Sequence, residues 1–114
     1  MILRDILKIL NGNVLCGKNR LEEEVFVAFA SDLMSDVLTL HTGNILLITG
    51  LSNIQTIRTA EIADINHIIL VRNKKANPEF VELASENDQL IIETPYSMFR
   101  TCGLLYLGGL NAIY

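Results

Sequence analysis

Three strand-length stretches constrain this chain most, residues 25–30, 44–49 and 66–71, built on the apolar runs 25–30, 45–48 and 68–71. None alternates polar with apolar side chains, and β-branched or aromatic residues recur in them. Each is therefore expected to be a strand buried on both faces. Helical patterns separate the runs. Residues 33–40 follow Ser31-Asp32, and residues 54–63 follow Ser52-Asn53, with apolar positions at Ile54, Ile57, Ala60 and Ile62. A third helix follows Asn77-Pro78 and turns Phe80, Val81 and Ala84 to one side. Ser, Asp and Asn suit helix N-caps, and Pro suits the first helical position.

Further elements flank this repeat. Ile2, Leu3, Ile6, Leu7, Ile9 and Leu10 have helical spacing, stopped by Asn11-Gly12-Asn13, and residues 14–16 read as a short strand. Residues 17–20 read as a loop, and His41-Thr42-Gly43 closes the helix that begins at residue 33. Residues 90–93 form another short strand, and Thr94-Pro95 leads into a last helix over 96–107, ended by Gly108-Gly109. Strand and helix alternate along the whole chain, which predicts one α/β domain over residues 1–114 with a largely parallel sheet and right-handed crossovers.

Half of the 114 residues are hydrophobic but only 6% are aromatic, so Leu, Ile, Val and Ala supply the core. This suits a parallel sheet covered by helices, or a domain that buries further surface in an oligomer. Nine Lys and Arg stand against thirteen Asp and Glu, and the only adjacent basic pair is Lys74-Lys75. A nucleic-acid binder needs a basic face to displace counterions, so binding to DNA or RNA is not expected. The acidic balance also argues against adsorption to anionic membranes. No apolar run approaches the roughly 20 residues of a membrane span. The opening Met-Ile-Leu-Arg-Asp lacks the pattern of a signal peptide. Cys16 and Cys102 are isolated and read as reduced thiols, which together with the missing signal points to the cytoplasm.

The chemistry-bearing residues are few. His41 and His67 are the sole histidines, far apart from each other and from the cysteines, so no metal-site spacing exists and no metal or cofactor is expected. They read as edge histidines on two elements. No Walker-type or dinucleotide-binding glycine motif is present. Two polar clusters remain, each at the C-terminal end of a strand. One is Ser31, Asp32, Ser35 and Asp36, in which the two acids at i and i+4 would share a helix face. The other is the turn Thr49-Gly50-Leu51-Ser52-Asn53. Ends of this kind are where open α/β sheets bind anionic ligands, although ordinary turns and caps have the same geometry. Ser31, His41 and Asp32 can be written as a triad, but their spacing gives it no support. The last helix is apolar around much of its circumference. Met98, Leu105 and Tyr106 are expected to contribute to a subunit interface.

Residues 30–38, Leu47-Ile48-Thr49-Gly50, Ile57-Arg58-Thr59-Ala60-Glu61 and Tyr96-Ser97-Met98-Phe99 resemble the stand-alone DRTGG domain family, in order and over nearly the whole chain. The second half also resembles the N-terminal domain of HPr kinase/phosphorylase. The resemblance implies a three-layer α/β/α sandwich of that type. Related domains accompany CBS pairs in some pyrophosphatases and occur in some phosphotransacetylases, where they look like regulatory, dimer-forming parts. One departure matters: the turn reads Gly50-Leu51-Ser52-Asn53 where longer relatives often show Gly-Asp-Arg. The resemblance is therefore a better guide to fold than to activity.

Together these readings favour a non-catalytic regulatory domain that homodimerises and senses a small anionic ligand such as an adenine nucleotide. A small enzyme using the two polar clusters is one alternative. The other is an adaptor that meets a protein encoded nearby through its last helix.

Overall fold

The computed structural model describes every residue except Thr42 and Lys74. The expected helix closure at Thr42 and the first lysine of the basic pair therefore lie outside the described residues. The elements run α1 (Leu3–Ile9), β1 (Asn13–Cys16), a 3₁₀ turn (Lys18–Arg20), β2 (Val27–Ala30), α2 (Met34–Val37), β3 (Ile45–Thr49), α3 (Ile54–Ile62), β4 (His67–Leu70), α4 (Pro78–Glu86), β5 (Leu90–Glu93), α5 (Met98–Leu107) and β6 (Asn111–Ala112).

Among the described residues, six strands form one sheet in the order β1-β5-β4-β3-β2-β6. All neighbours are parallel except β1, which runs antiparallel on β5. Side chains alternate across the central strands. Leu47, Ile68, Leu70 and Ile91 join Val37, Ile57, Ala60, Phe80 and Ala84 of α2, α3 and α4 in one core. Leu46, Ile48, Ile69 and Ile92 join Leu3 and Ile6 of α1 and Leu105 of α5 in a second core. The chain is thus a three-layer sandwich, and its continuous apolar runs exist because β3, β4 and β5 have a core on each face.

The reason for the layering lies in the connections. β2, β3, β4 and β5 are successive neighbours, so α2, α3 and α4 cover the same face. After β5 the chain returns across the sheet as α5 to reach the far edge at β6. The β4 and β5 loops therefore leave the sheet on opposite faces, and a crevice at the strand ends forms at such a divergence.

Three expectations are corrected here. The run over 25–30 is not buried throughout: the strand starts at Val27, Phe26 is half exposed and β2 is only partly covered. Its outer neighbour β6 has two residues, too few to shield it. The second helix is one turn, because Leu33 has an extended backbone and starts it late. Ile62, counted as an apolar helix position, is exposed to solvent. The Asn77 cap holds: its side chain accepts from the Phe80 N–H at 2.8 Å, with Pro78 at the helix start.

His67 is not an edge residue. It is buried at the start of β4, and its Nε2 lies 2.8 Å from Glu23 Oε1. Arg20 clamps the same carboxylate at 2.8 and 3.1 Å and also donates to the Asp88 carbonyl. His67 Nδ1 is buried with no partner among the described residues. Burial pushes the imidazole below its usual pKa, outweighing the opposing pull of Glu23. A histidine kept neutral in the fold takes up a proton more readily when unfolded. Its stabilising effect is full above the ordinary histidine value near 6.5 and declines as the pH falls through it. The urea midpoint is thus expected to drop between about pH 7 and 5, and to drop less in His67→Gln. Equal slopes in both proteins would place the acid sensitivity elsewhere.

Candidate functional site

The C-terminal ends of β2, β3, β4 and β5 form one rim. The two polar clusters read from the sequence meet there, though not as their spacing suggested. Asp32 precedes α2 and shares no helix face with Asp36. Its carboxylate instead crosses to the end of β3, where Oδ1 accepts from the Thr49 hydroxyl at 2.9 Å and from the Gly50 N–H at 2.7 Å. Thr49 Oγ1 in turn accepts from the Leu51 N–H at 3.2 Å. Ser31 Oγ accepts from the Leu33 N–H at 2.9 Å, which holds the turn that presents Asp32.

This contact decides what the Thr49–Gly50 turn can take. Its inward N–H is already satisfied by a carboxylate of the chain itself, and that negative charge repels a second anion. Asp32 Oδ2 accepts no hydrogen bond from the described residues, and Asp32 is exposed to solvent. A Cβ built on Gly50 would stand 3.5 Å from both carboxylate oxygens and 3.8 Å from Val71 Cγ2, a member of the α5-side core. The carboxylate therefore lies at the end of β3, bonded to both the Thr49 side chain and the Gly50 main chain.

The remaining sequence-derived residues divide. Asn53 caps α3, its side chain accepting from the Thr56 N–H at 3.1 Å, and Ser52 beside it is half-buried. Ser35 and Asp36 are exposed on α2 and take no part in the Asp32 contact. Of the three residues assigned to an interface, Leu105 is corrected: it is 1% exposed and packs in the core, because α5 turns it with Thr101 onto the sheet. Met98 is half-buried against the same core, and Tyr106 is exposed.

Sequence reasoning passed over the other half of the rim. Arg72 and Asn73 follow β4 with φ of 62° and 51°. Their N–H groups donate to the Tyr96 and Thr94 carbonyls at 2.8 and 2.9 Å, pinning the β4 loop to the β5 loop. The Thr94 hydroxyl donates to the Leu10 carbonyl at 2.6 Å. Arg100, in the first turn of α5, lays its guanidinium 3.7 Å from the centre of the Tyr96 ring. The rim thus also carries two exposed arginines, Arg72 after β4 and Arg100 in the first turn of α5, both held near Tyr96. The one available signal was that Arg72 follows a buried strand directly, as Ser31 and Gly50 do.

Burial pushes both the Cys16 and Cys102 thiols up, so neither is a ready thiolate near neutral pH. Among the described residues, no group of three His, Cys, Asp or Glu side chains could hold a metal ion. Among the described residues, no helix is long and apolar enough to cross a membrane.

The DRTGG domain family matches residues 5–107. The chain belongs to this family. No curated protein matches it. Among solved structures, the DRTGG-domain chain is similar to the CBS and DRTGG domains of the regulatory region of Clostridium perfringens pyrophosphatase, complexed with its activator diadenosine tetraphosphate. The TM-score is 0.73 at 17% identity, over 91% of this chain and 45% of that one. The DRTGG chain therefore spans under half of its neighbour's length, and the likeness establishes the shared fold.

Asp32→Ala is expected to lower stability by about 1–3 kcal/mol, since it strips the buried Gly50 N–H and Thr49 hydroxyl of their acceptor. Asp32→Asn, which keeps an acceptor oxygen, should recover most of that loss. Urea midpoints measure both. No change in Asp32→Ala would mean that the carboxylate does not seat on the turn.

Proposed function

We propose that this DRTGG domain is a non-catalytic regulatory module that self-associates and senses a small anionic ligand, an adenine nucleotide being the first choice. The observation that carries this reading is the composition of the rim. Ser31, Asp32, Thr49 and Gly50 supply a fixed acceptor, Ser52 and Asn53 flank it, and Arg72 and Arg100 supply cations at the same edge. A nucleotide combines hydroxyl donors with phosphate anions, and a rim of mixed sign suits both. The activator bound in the pyrophosphatase regulatory region is of this chemical class. The hydroxyl that meets the Asp32 carboxylate, that of Thr49, is fully buried and out of a substrate's reach, which supports a binding role over catalysis. Two reduced thiols fit a cytoplasmic setting.

Self-association is supported by α5. Phe99, Tyr106 and Leu107 are 90%, 70% and 86% exposed, and with Gly103 they form a stripe at helical spacing. A Cβ on Gly103 would meet nothing within 4 Å, so a second helix could approach closely there. An uncharged stripe of this kind suits a two-fold contact between copies of the chain.

Thermal melts with ATP, ADP, AMP, diadenosine tetraphosphate and phosphate test the ligand, and sedimentation of wild type and Leu107→Glu tests assembly. A ligand at 100 times its Kd stabilises the folded state by about 2.7 kcal/mol, a shift of many degrees for a domain this size. Leu107→Glu is expected to be a folded monomer, since the side chain is exposed. A flat ligand panel, or a wild type that is monomeric at high concentration, would each remove one half of the reading. Capture of a foreign protein through the same stripe would favour an adaptor.

A further inference from the structure

α5 turns Met98, Thr101 and Leu105 toward the sheet and leaves the opposite face bare. Phe99, Gly103, Tyr106 and Leu107 fall within an arc of about 100° on that bare face. The arc has a symmetry of its own. Phe99 and Leu107 stand one turn before and one turn after Gly103, each about 6 Å from it along the axis. Reversing the helix about Gly103 therefore exchanges one bulky apolar end for the other. A two-fold contact between identical surfaces needs that self-complementarity.

The charges give the direction. α5 has no acid in its first turn and no base in its last. Its first turn carries Arg100 instead, exposed and stacked on Tyr96, a cation at the positive end of the helix dipole. Two copies of α5 running the same way would set Arg100 against Arg100. Two copies running in opposite directions set each Arg100 beside the other's last turn, where the dipole is negative.

We propose that two copies of this chain pair through antiparallel α5 helices that cross at Gly103, with Phe99 of each copy against Tyr106 of the other. Arg100 of each copy then lies at the C-terminal end of the other's helix. The assignment rests on the self-association read above and adds its direction and register. Phe99, Tyr106 and Leu107 would bring on the order of 400 Å² of each copy into the contact. That is the apolar centre of an interface of ordinary size, about 800 Å² per partner. Tyr106 also lines a cavity between β2, α5 and the segment 110–114, so the contact borders that cavity.

Oxidative cross-linking with copper phenanthroline reads the register. Linked peptides are identified by mass, which separates the new disulfides from any made by Cys16 or Cys102. Phe99→Cys mixed with Tyr106→Cys is expected to give a disulfide dimer with one copy of each. Phe99→Cys alone is expected to stay unlinked through that position. Its two copies would stand about 12 Å apart along the axis, beyond the roughly 7 Å between Cα atoms that a disulfide spans. Arg100→Ala should raise the dimer Kd about 3-fold or more, since each dimer loses two contacts with a helix end. Phe99→Cys linked to itself, or a dimer tightened by Arg100→Ala, would mean parallel helices. An associating protein whose mixed variants form no disulfide would put the contact elsewhere. Each of these results overturns the register and leaves self-association standing. A wild type that is monomeric at high concentration overturns both.

Discussion

Truncation of Phe80 to alanine is expected to lower the unfolding free energy by about 3–5 kcal/mol. The side chain is fully buried, third from the Asn77 cap, and sits in one core with Ile57, Ala60, Leu70 and Ile91. It thus joins α4 to α3 and to both central strands beneath them. Removing the ring forfeits its transfer from water and leaves a cavity that a close-packed sandwich cannot collapse to fill. Domains of this size hold about 5–15 kcal/mol in all, so the variant would spend a large part of that margin. Urea unfolding of Phe80→Ala beside Val81→Ala measures the effect. Val81 is only half-buried on the same helix and should lose less. Equal losses would mean that α4 does not dock through its Phe80 face.

The second large effect is at Gly17. Its φ is +82°, and a Cβ there would lie 2.5 Å from the Gln89 carbonyl oxygen and 2.6 Å from Leu90 Cα. Both are main-chain atoms at the start of β5, the strand on which β1 pairs. Alanine must meet a left-handed backbone penalty and also push β1 away from β5, a combined cost of about 2–4 kcal/mol. Gly109 separates the two terms. Its φ is +107°, yet a Cβ would meet nothing within 4 Å. Gly109→Ala should therefore show the conformational part alone, about 1–2 kcal/mol. Thermal or urea unfolding of both variants decides. A Gly17→Ala loss no greater than that of Gly109→Ala would mean that the close approach relaxes at little cost.

What could be read from the sequence follows the range of the forces involved. The Asn77-Pro78 helix start and the strands beneath the two cores were legible, because caps and unbroken apolar runs are local signals. The resemblance to the DRTGG family led to the sandwich that the family match and the neighbouring structure show. The burial of residues 25–30 was overestimated because an apolar run looks the same in a central strand as in one shielded by two residues. β6 itself gave no signal, since two residues carry no period. The rim was half legible. Ser31-Asp32 and Thr49-Gly50 were identified as strand ends, but the hydrogen bonds joining them span 17 and 18 residues and follow only from β2 pairing with β3. Leu105 and Tyr106 differ by one helical step of 100°, enough to send one into the core and the other into solvent, and composition does not distinguish them.

β6 contributes two paired positions, Val27 with Asn111 and Ala28 with Ala112, both exposed on the β6 side. The tail it anchors also supplies one wall of the cavity beside the rim. In amide exchange this segment should open at a free energy far below global unfolding, while amides of β3 wait for the whole domain to open. The cavity of about 300 Å³ that residues 110–114 help to line between β2 and α5 would open with that segment, while the two cores stay packed.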